Sequence, residues 1–222
     1  QMFVILPFEK EYYNKLKYDV VYVGHPLLDV LKQNLKEDSN REELIALLPG
    51  SRDQEINKIL PVFLGVTKYF KNYQFIICAA PSKNKSFYEK FMQKGDYKNV
   101  DIVVNQTYNI LEKSSAALVT SGTATLEAAL IKTPQIVCYK SSWISILIGK
   151  VLLRNLKFIS LVNLILNKPA VKELIQGDLN TKNIKKNLEY ILSDKGRKKV
   201  IDSYNRLENL LNKKGASRET AK

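Results

Sequence analysis

Short runs made almost wholly of apolar residues alternate along this chain with longer helical patterns. The runs are "LIALL" (44–48), "QFIICA" (74–79), "DIVVN" (101–105), "AALVT" (116–120) and "PQIVCYK" (134–140). Strands that are apolar on both sides belong to parallel sheets with helices packed on both faces. The segments between them fit that arrangement. "PGSRDQEINKILPVFLGVTKYF", a Lys/Ser/Asn-rich stretch, "YNILEKS" and "SGTATLEAALIK" read as helices, the first and last opening on a turn. The fold class is therefore α/β, a Rossmann-like parallel sheet with helices on both faces. Upstream, "MFVIL" and "DVVYV" read as strands, "FEKEYYNKL" and "PLLDVLKQNL" as helices, and "KEDSNREE" as a polar linker or loop. Downstream, "WISILIGKVLLRN" and "LVNLILNKPAVKELIQ" read as helical and lead to a polar helical tail. Residues 1–40 thus precede one main domain, 41–222.

A length of 222 residues suits one sizeable α/β domain, or one domain and a fragment of another. The chain opens mid-pattern on "QMFVIL", so the expectation is a piece of a longer protein. Hydrophobic residues make up 45% of it, enough for a real core. The net charge of +13 favours phosphorylated ligands, nucleic acid or anionic lipid surfaces, without choosing among them. The lysines of "KNIKKN" and "DKGRKKV" have no aromatic stacking platform beside them, so they read as a solvated helix face rather than a nucleic-acid site. Cys78 and Cys138 sit in apolar runs without zinc-ligand spacing, and read as buried hydrophobes in a reduced compartment. No run approaches the roughly 20 apolar residues of a membrane-spanning helix.

Ligands of open parallel sheets bind outside the carboxyl ends of the strands. Two turns there carry chemistry. After "LIALL" comes Pro49-Gly50-Ser51-Arg52. Gly50 permits a tight turn and a close approach to a ligand, Ser51 offers a hydroxyl that can cap a helix, and Arg52 offers a planar fork for a phosphate. Taken alone, this turn reads more plainly as a capped helix with a solvated Arg. After "AALVT" comes Ser121-Gly122-Thr123, again hydroxyls and a glycine at a strand-to-helix junction, which suits an anion. Glu127 lies four residues beyond Thr123, about one helical turn up the same face. There it can accept from the vicinal hydroxyls of a ribose, or merely complement the helix dipole for about 0.3–1 kcal/mol. Together the turns suggest a nucleotide held by phosphate and ribose. Neither a Walker lysine pattern nor GxGxxG is present. The lone histidine, His25, sits in a Gly-His-Pro turn and reads as a hinge or capping residue before a general base. The apolar stretch from Trp143 to Arg154, with Lys150 inside it, reads as core or as a face meeting a bilayer interface.

"ILPFEKEYY", "YVGHPLLD", "LLPGSRDQEI", "SGTATLEAAL", "SLVNLIL" and "VKELIQ" occur in this order. Together they closely resemble the lipid-A-disaccharide synthases, inverting glycosyltransferases of the GT-B architecture. The resemblance implies the C-terminal, donor-binding half of such an enzyme, with residues 1–40 as the end of the N-terminal domain and the interdomain linker. It implies transfer of 2,3-diacylglucosamine from its UDP derivative to 2,3-diacylglucosamine 1-phosphate, giving a β-1,6 disaccharide and UDP. By the same resemblance, Gly50, Ser51 and Arg52 line the UDP pocket, Ser121, Gly122 and Thr123 meet the diphosphate, and Glu127 meets the ribose. Asn163, Glu173 and Gln176 match positions near the donor cleft, and the catalytic base belongs to the other half. No cofactor and no metal are implied, and no Asp-x-Asp pair suggests one. The expected setting is the cytoplasmic face of the inner membrane, peripherally bound, with oligomerisation open. Competing readings are a UDP-sugar epimerase of the same architecture, an inactive truncated UDP-binding module and a basic nucleic-acid-binding domain.

Overall fold

The computed structural model describes residues 2–34, 40–140 and 157–211. The apolar stretch with Trp143 and Lys150, and part of the polar linker, lie outside the described residues.

The apolar runs form strands β3 (Glu42–Leu48), β4 (Gln74–Ala79), β5 (Val100–Val104), β6 (Ser114–Thr120) and β7 (Gln135–Tyr139). A sixth strand, β8 (Lys172–Ile175), joins them. All six pair in parallel, in the order β5-β4-β3-β6-β7-β8. Helices α3 (Asp53–Thr67), α4 (Lys85–Met92), α5 (Thr107–Lys113) and α6 (Ala124–Leu130) connect successive strands. Helix α3 shows why they pack. It buries Ile56, Ile59, Leu60, Phe63 and Leu64, a single stripe at helical spacing, in one hydrophobic core with the strand residues of the sheet. The strand order runs outward from β3 to β5, then resumes on the other side with β6. The β3/β6 boundary is therefore a topological switch point, where the connections leave in opposite directions and a crevice opens at the carboxyl ends.

The segment "LVNLILNKPAVKELIQ" was expected to be helical throughout. It is helix α7 (Leu161–Leu166) followed by β8. Asn167 adopts a left-handed conformation at the helix end, and Pro169 follows. The Asn163 side-chain oxygen then accepts from the backbone N–H groups of Ala170 and Val171, at 2.8 and 2.9 Å. These bonds turn the chain and deliver residues 172–175 to the sheet edge. Helices α8 (Thr181–Leu192) and α9 (Asp194–Leu211) complete the described tail.

Upstream, β1 (Met2–Val4), α1 (Pro7–Lys15) and β2 (Val20–Tyr22) form a separate two-stranded parallel sheet. Val4, Val20 and Tyr22 make its own small core, with Tyr13 packed on it. Helix α2 (Pro26–Asn34) follows.

Candidate functional site: the crevice at the strand ends

The two turns singled out in the sequence stand side by side, because β3 and β6 are neighbours in register from Ile45↔Ala116 to Leu48↔Val119. A cavity of about 410 Å³ opens between them. Gly50, Ser51, Arg52, Ser121, Gly122, Thr123 and Glu127 all line it. Leu48, Glu55, Cys78, Thr107 and Thr120 contribute further to its wall.

The first turn depends on Gly50, whose φ of +99° is a conformation that L side chains rarely adopt. The following helix has Arg52, not Ser51, at its cap position, and no side chain caps it. The Ser51 hydroxyl is thus not spent on the helix. Arg52 is largely exposed and donates from Nη1 to Glu55 Oε1 at 2.9 Å. In the second turn, the Ser121 N–H donates to the Cys138 carbonyl at 2.9 Å and Ser121 Oγ to the Ile159 carbonyl at 3.0 Å. Thr123 holds the cap position of α6, again without a side-chain cap bond. A Cβ added to Gly122 would meet no described atom within 4 Å, so packing does not require glycine there. Thr120 Oγ1 is buried in the wall and has no hydrogen-bond partner among the described residues. Such an orphaned group is rare in a protein interior and marks a place where a ligand or water can bond.

Glu127 is half-buried, and burial pushes its carboxyl above the ordinary range. Tyr108 Oη donates to Glu127 Oε1 at 3.3 Å, which opposes that rise. Burial and the neighbouring carboxylate hold the Tyr108 hydroxyl itself above its ordinary value. Cys78 is buried, and its thiol is pushed up to about 12, so it is inert wall rather than nucleophile.

The later expected residues are placed differently. Asn163 and Glu173 do not line this cavity but border a second groove beside β8. Their hydrogen-bonding capacity is used within the protein. Glu173 accepts from the N–H groups of Ile159 and Ser160, both at 3.0 Å, and from Ser160 Oγ and Asn163 Nδ2, both at 2.8 Å. The Ile159 carbonyl in turn receives Ser121 Oγ. These two residues therefore brace the second turn from behind. Gln176 follows directly after β8 with a φ of +53°, and its buried Nε2 has no partner among the described residues. His25 accepts from the Leu27 N–H through Nδ1 at 3.2 Å, a cap on α2, and burial lowers its pKa.

Sequence reasoning missed Glu55, Tyr108 and Thr120. Glu55 had a signal, three residues after Arg52 and on the same helix face. Tyr108 had none, since it meets Glu127 across two separate elements. Among the described residues no cluster of three or more His, Cys, Asp or Glu side chains is built to hold a metal ion.

Solved structures share this architecture at low identity. UDP-GlcNAc 2-epimerase from Neisseria meningitidis, bound to UDP-GlcNAc, superposes with a TM-score of 0.60 at 17% identity, covering 99% of this chain and 59% of that one. The spinosyn rhamnosyltransferase SpnG gives 0.54 at 11% identity, over 83% and 46%. These likenesses show the fold alone. Sequence relatives are closer. Lipid-A-disaccharide synthase of Syntrophus aciditrophicus is 37% identical over 234 residues, which is 100% of this chain and 61% of the relative. That of Francisella tularensis subsp. novicida is 34% identical, over 90% of this chain and 57% of the relative. The chain thus spans about 60% of the length of these curated relatives. The family model described as lipid-A-disaccharide synthetase matches residues 1–221, and the chain belongs to that family.

Proposed function

We propose that the cavity between β3 and β6 seats the UDP of a nucleotide sugar, and that the chain is the donor-binding part of an inverting glycosyltransferase. The observation that carries this is convergence. Two hydroxyl- and glycine-bearing turns, an arginine and a half-buried carboxylate, from separate stretches of sequence, line one crevice at the switch point. Gly122 and Thr123 meet the diphosphate through backbone N–H groups and the Thr123 hydroxyl, while Ser121, whose N–H and Oγ donate to the Cys138 and Ile159 carbonyls, holds the turn against it. Gly50 lets the first turn approach, while Ser51 and Arg52 add a hydroxyl and a fork. Glu127, steadied by Tyr108, accepts from the ribose hydroxyls. As the bond from sugar to diphosphate breaks, negative charge grows on the departing oxygen. Donors already aimed at that place stabilise it without reorganising.

Family membership supports a specific reaction for the whole protein. The acyl sugar 2,3-diacylglucosamine passes from UDP to the 6-hydroxyl of 2,3-diacylglucosamine 1-phosphate, giving the β-1,6 disaccharide of the lipid A precursor. Inversion follows when the acceptor hydroxyl attacks opposite the diphosphate while a base removes its proton. Neither carboxylate of this cavity is offered as that base, since Glu127 is assigned to the ribose and Glu55 is paired with Arg52. Residues 41–222 form the UDP-sugar domain, and residues 1–40 the end of a facing domain and its linker. Gln176, with its unpartnered Nε2, is offered to the donor sugar, whereas Asn163 and Glu173 act by bracing Ser121. No described helix is long and apolar enough to cross a membrane. Contact with the acylated substrates is proposed to occur at the inner-membrane surface, from the cytoplasmic side.

The test is calorimetric titration of the chain with UDP, with AMP as control. Saturable UDP binding that is weakened by both Arg52→Ala and Glu127→Gln supports the reading. Equal binding of AMP, or insensitivity to both substitutions, overturns it. A radiolabelled donor–acceptor assay on the whole enzyme then distinguishes transfer from epimerisation.

A further inference from the structure

A carboxylate stands where the proposed diphosphate would arrive. The Glu55 side chain is 19% exposed, against 81% for Arg52. One oxygen, Oε1, takes the Arg52 bond. The other, Oε2, lies 2.9 Å from the point that a Cβ on Gly50 would occupy, with Thr120 Cγ2 at 3.3 Å from that point. The carboxylate therefore lies over the Gly50 backbone at the β3/β6 boundary, inside the same cavity as Ser121 and Thr123. Filling that space does not require a charge, because a glutamine has the same shape. Complementing the α3 dipole does not require it either. Asp53 already stands in the first turn of α3, where its carboxylate pairs with Lys83. What the charge on Glu55 does touch is the guanidinium that would meet the diphosphate.

We propose that Glu55 is a resident counter-charge for Arg52 that lowers the affinity of the empty site for any phosphate. In the empty site it holds the guanidinium in an ion pair, and an arriving diphosphate must win that fork against a resident carboxylate. The first turn is then close to neutral when empty, so a bare phosphate gains little from it. In a chain carrying +13, an uncompensated arginine at a strand-end turn would attract phosphates of every kind. With Glu55 present, tight binding needs the ribose contact at Glu127 as well. The same competition favours release of UDP, since its departure restores the Arg52–Glu55 pair. This inference rests on the reading of the cavity as a UDP site.

The experiment measures binding of UDP, inorganic pyrophosphate and uridine to the chain and to its Glu55→Gln and Glu55→Asp forms. Glu55→Gln is expected to tighten UDP and pyrophosphate by roughly tenfold each, the scale of one partly screened charge a few ångströms from the ligand. It should leave uridine unchanged, and added salt should shrink the gain. Glu55→Asp, which keeps the charge, is expected to stay close to the unaltered chain. Weaker UDP binding in both variants would show that Glu55 only positions Arg52 or supports the fold, and would overturn the proposal. So would an equal change for uridine, which lacks the phosphates. Arg52→Ala and Glu127→Gln, run in parallel, separate the two ideas. If they weaken UDP while Glu55→Gln fails to tighten it, Glu55 alone is misassigned. If neither they nor Glu55→Gln alters UDP binding, the reading of the cavity falls and this inference with it.

Discussion

At the scale of single residues, the cavity combines an exposed arginine with a half-buried carboxylate, and the two respond differently to mutation. Arg52→Ala is expected to weaken UDP binding by roughly 1.5–3 kcal/mol, the range for hydrogen bonds to charged groups. Its exposure places the loss toward the lower end, and Arg52→Lys should recover only part, because an ammonium lacks the fork. Titration of the two variants with UDP checks both statements. Glu127 adds a cost to the fold, because its carboxylate is ionised in a half-buried place. Burial raises its folded-state pKa above the ordinary 4.5, so the ionised form is less favourable folded than unfolded. That penalty is fully present above the raised pKa and fades as pH falls through it toward the unfolded value. Glu127→Gln should therefore raise the thermal midpoint near neutral pH, with the gain disappearing in acid. The same variant should weaken UDP more than 2′,3′-dideoxy-UDP. Melting curves across pH and paired titrations test this; a midpoint gain independent of pH would assign the effect to something other than the charge. The residues at the turns were legible because Gly, Ser and Arg directly follow apolar strands. The Tyr108 contact was not, since nothing in a linear pattern places one element's side chain against another's.

Elements decide how those turns are held. Strands β3, β4, β6 and β7 could be read from the sequence because their runs are buried on both faces and nearly uninterrupted; β5, at a sheet edge and partly exposed, could be read because its run stays apolar and β-branched. Strand β8 could not. Of its residues Lys172–Ile175 only Leu174 is buried, as suits a sheet edge, and they follow an apolar helix without a long polar break. The deciding signals were Asn167, which accepts a left-handed cap, Pro169, and Asn163, whose amide captures the next strand's N–H groups. Glu173 then ties β8 to residues 159–163 and, through Ile159, to Ser121. Glu173→Gln replaces one acceptor oxygen with an NH₂ group facing donors. The expected loss of stability is roughly 1–3 kcal/mol, as for a buried hydrogen-bonding group left without a partner. UDP affinity should fall less than in Arg52→Ala, because the turn is loosened and no ligand contact is removed. Urea unfolding alongside UDP titration distinguishes bracing from direct contact. Unchanged stability with a large affinity loss would return Glu173 to the donor cleft.

For the whole molecule, the crevice joins two half-sheets, β3-β4-β5 and β6-β7-β8, whose carboxyl ends border one cavity. A nucleotide seated there contacts turns from both halves, so it should stabilise the six-stranded sheet as one cooperative unit. At a UDP concentration about 100 times Kd, binding to the native state alone adds about 2.7 kcal/mol. For chains of roughly this length each kcal/mol moves the midpoint by about 2–4 °C, so a rise of roughly 5–11 °C is expected. The small β1–β2 sheet has its own core of Val4, Val20 and Tyr22 and no residue in the cavity wall. Any separate transition arising from it should stay where it is. Uridine should give a smaller rise than UDP, since it keeps the ribose contact and loses the diphosphate, and AMP should give little. Differential scanning calorimetry with each ligand checks the order. A UDP rise confined to a minor transition would place the ligand away from the switch point and count against the crevice as its seat.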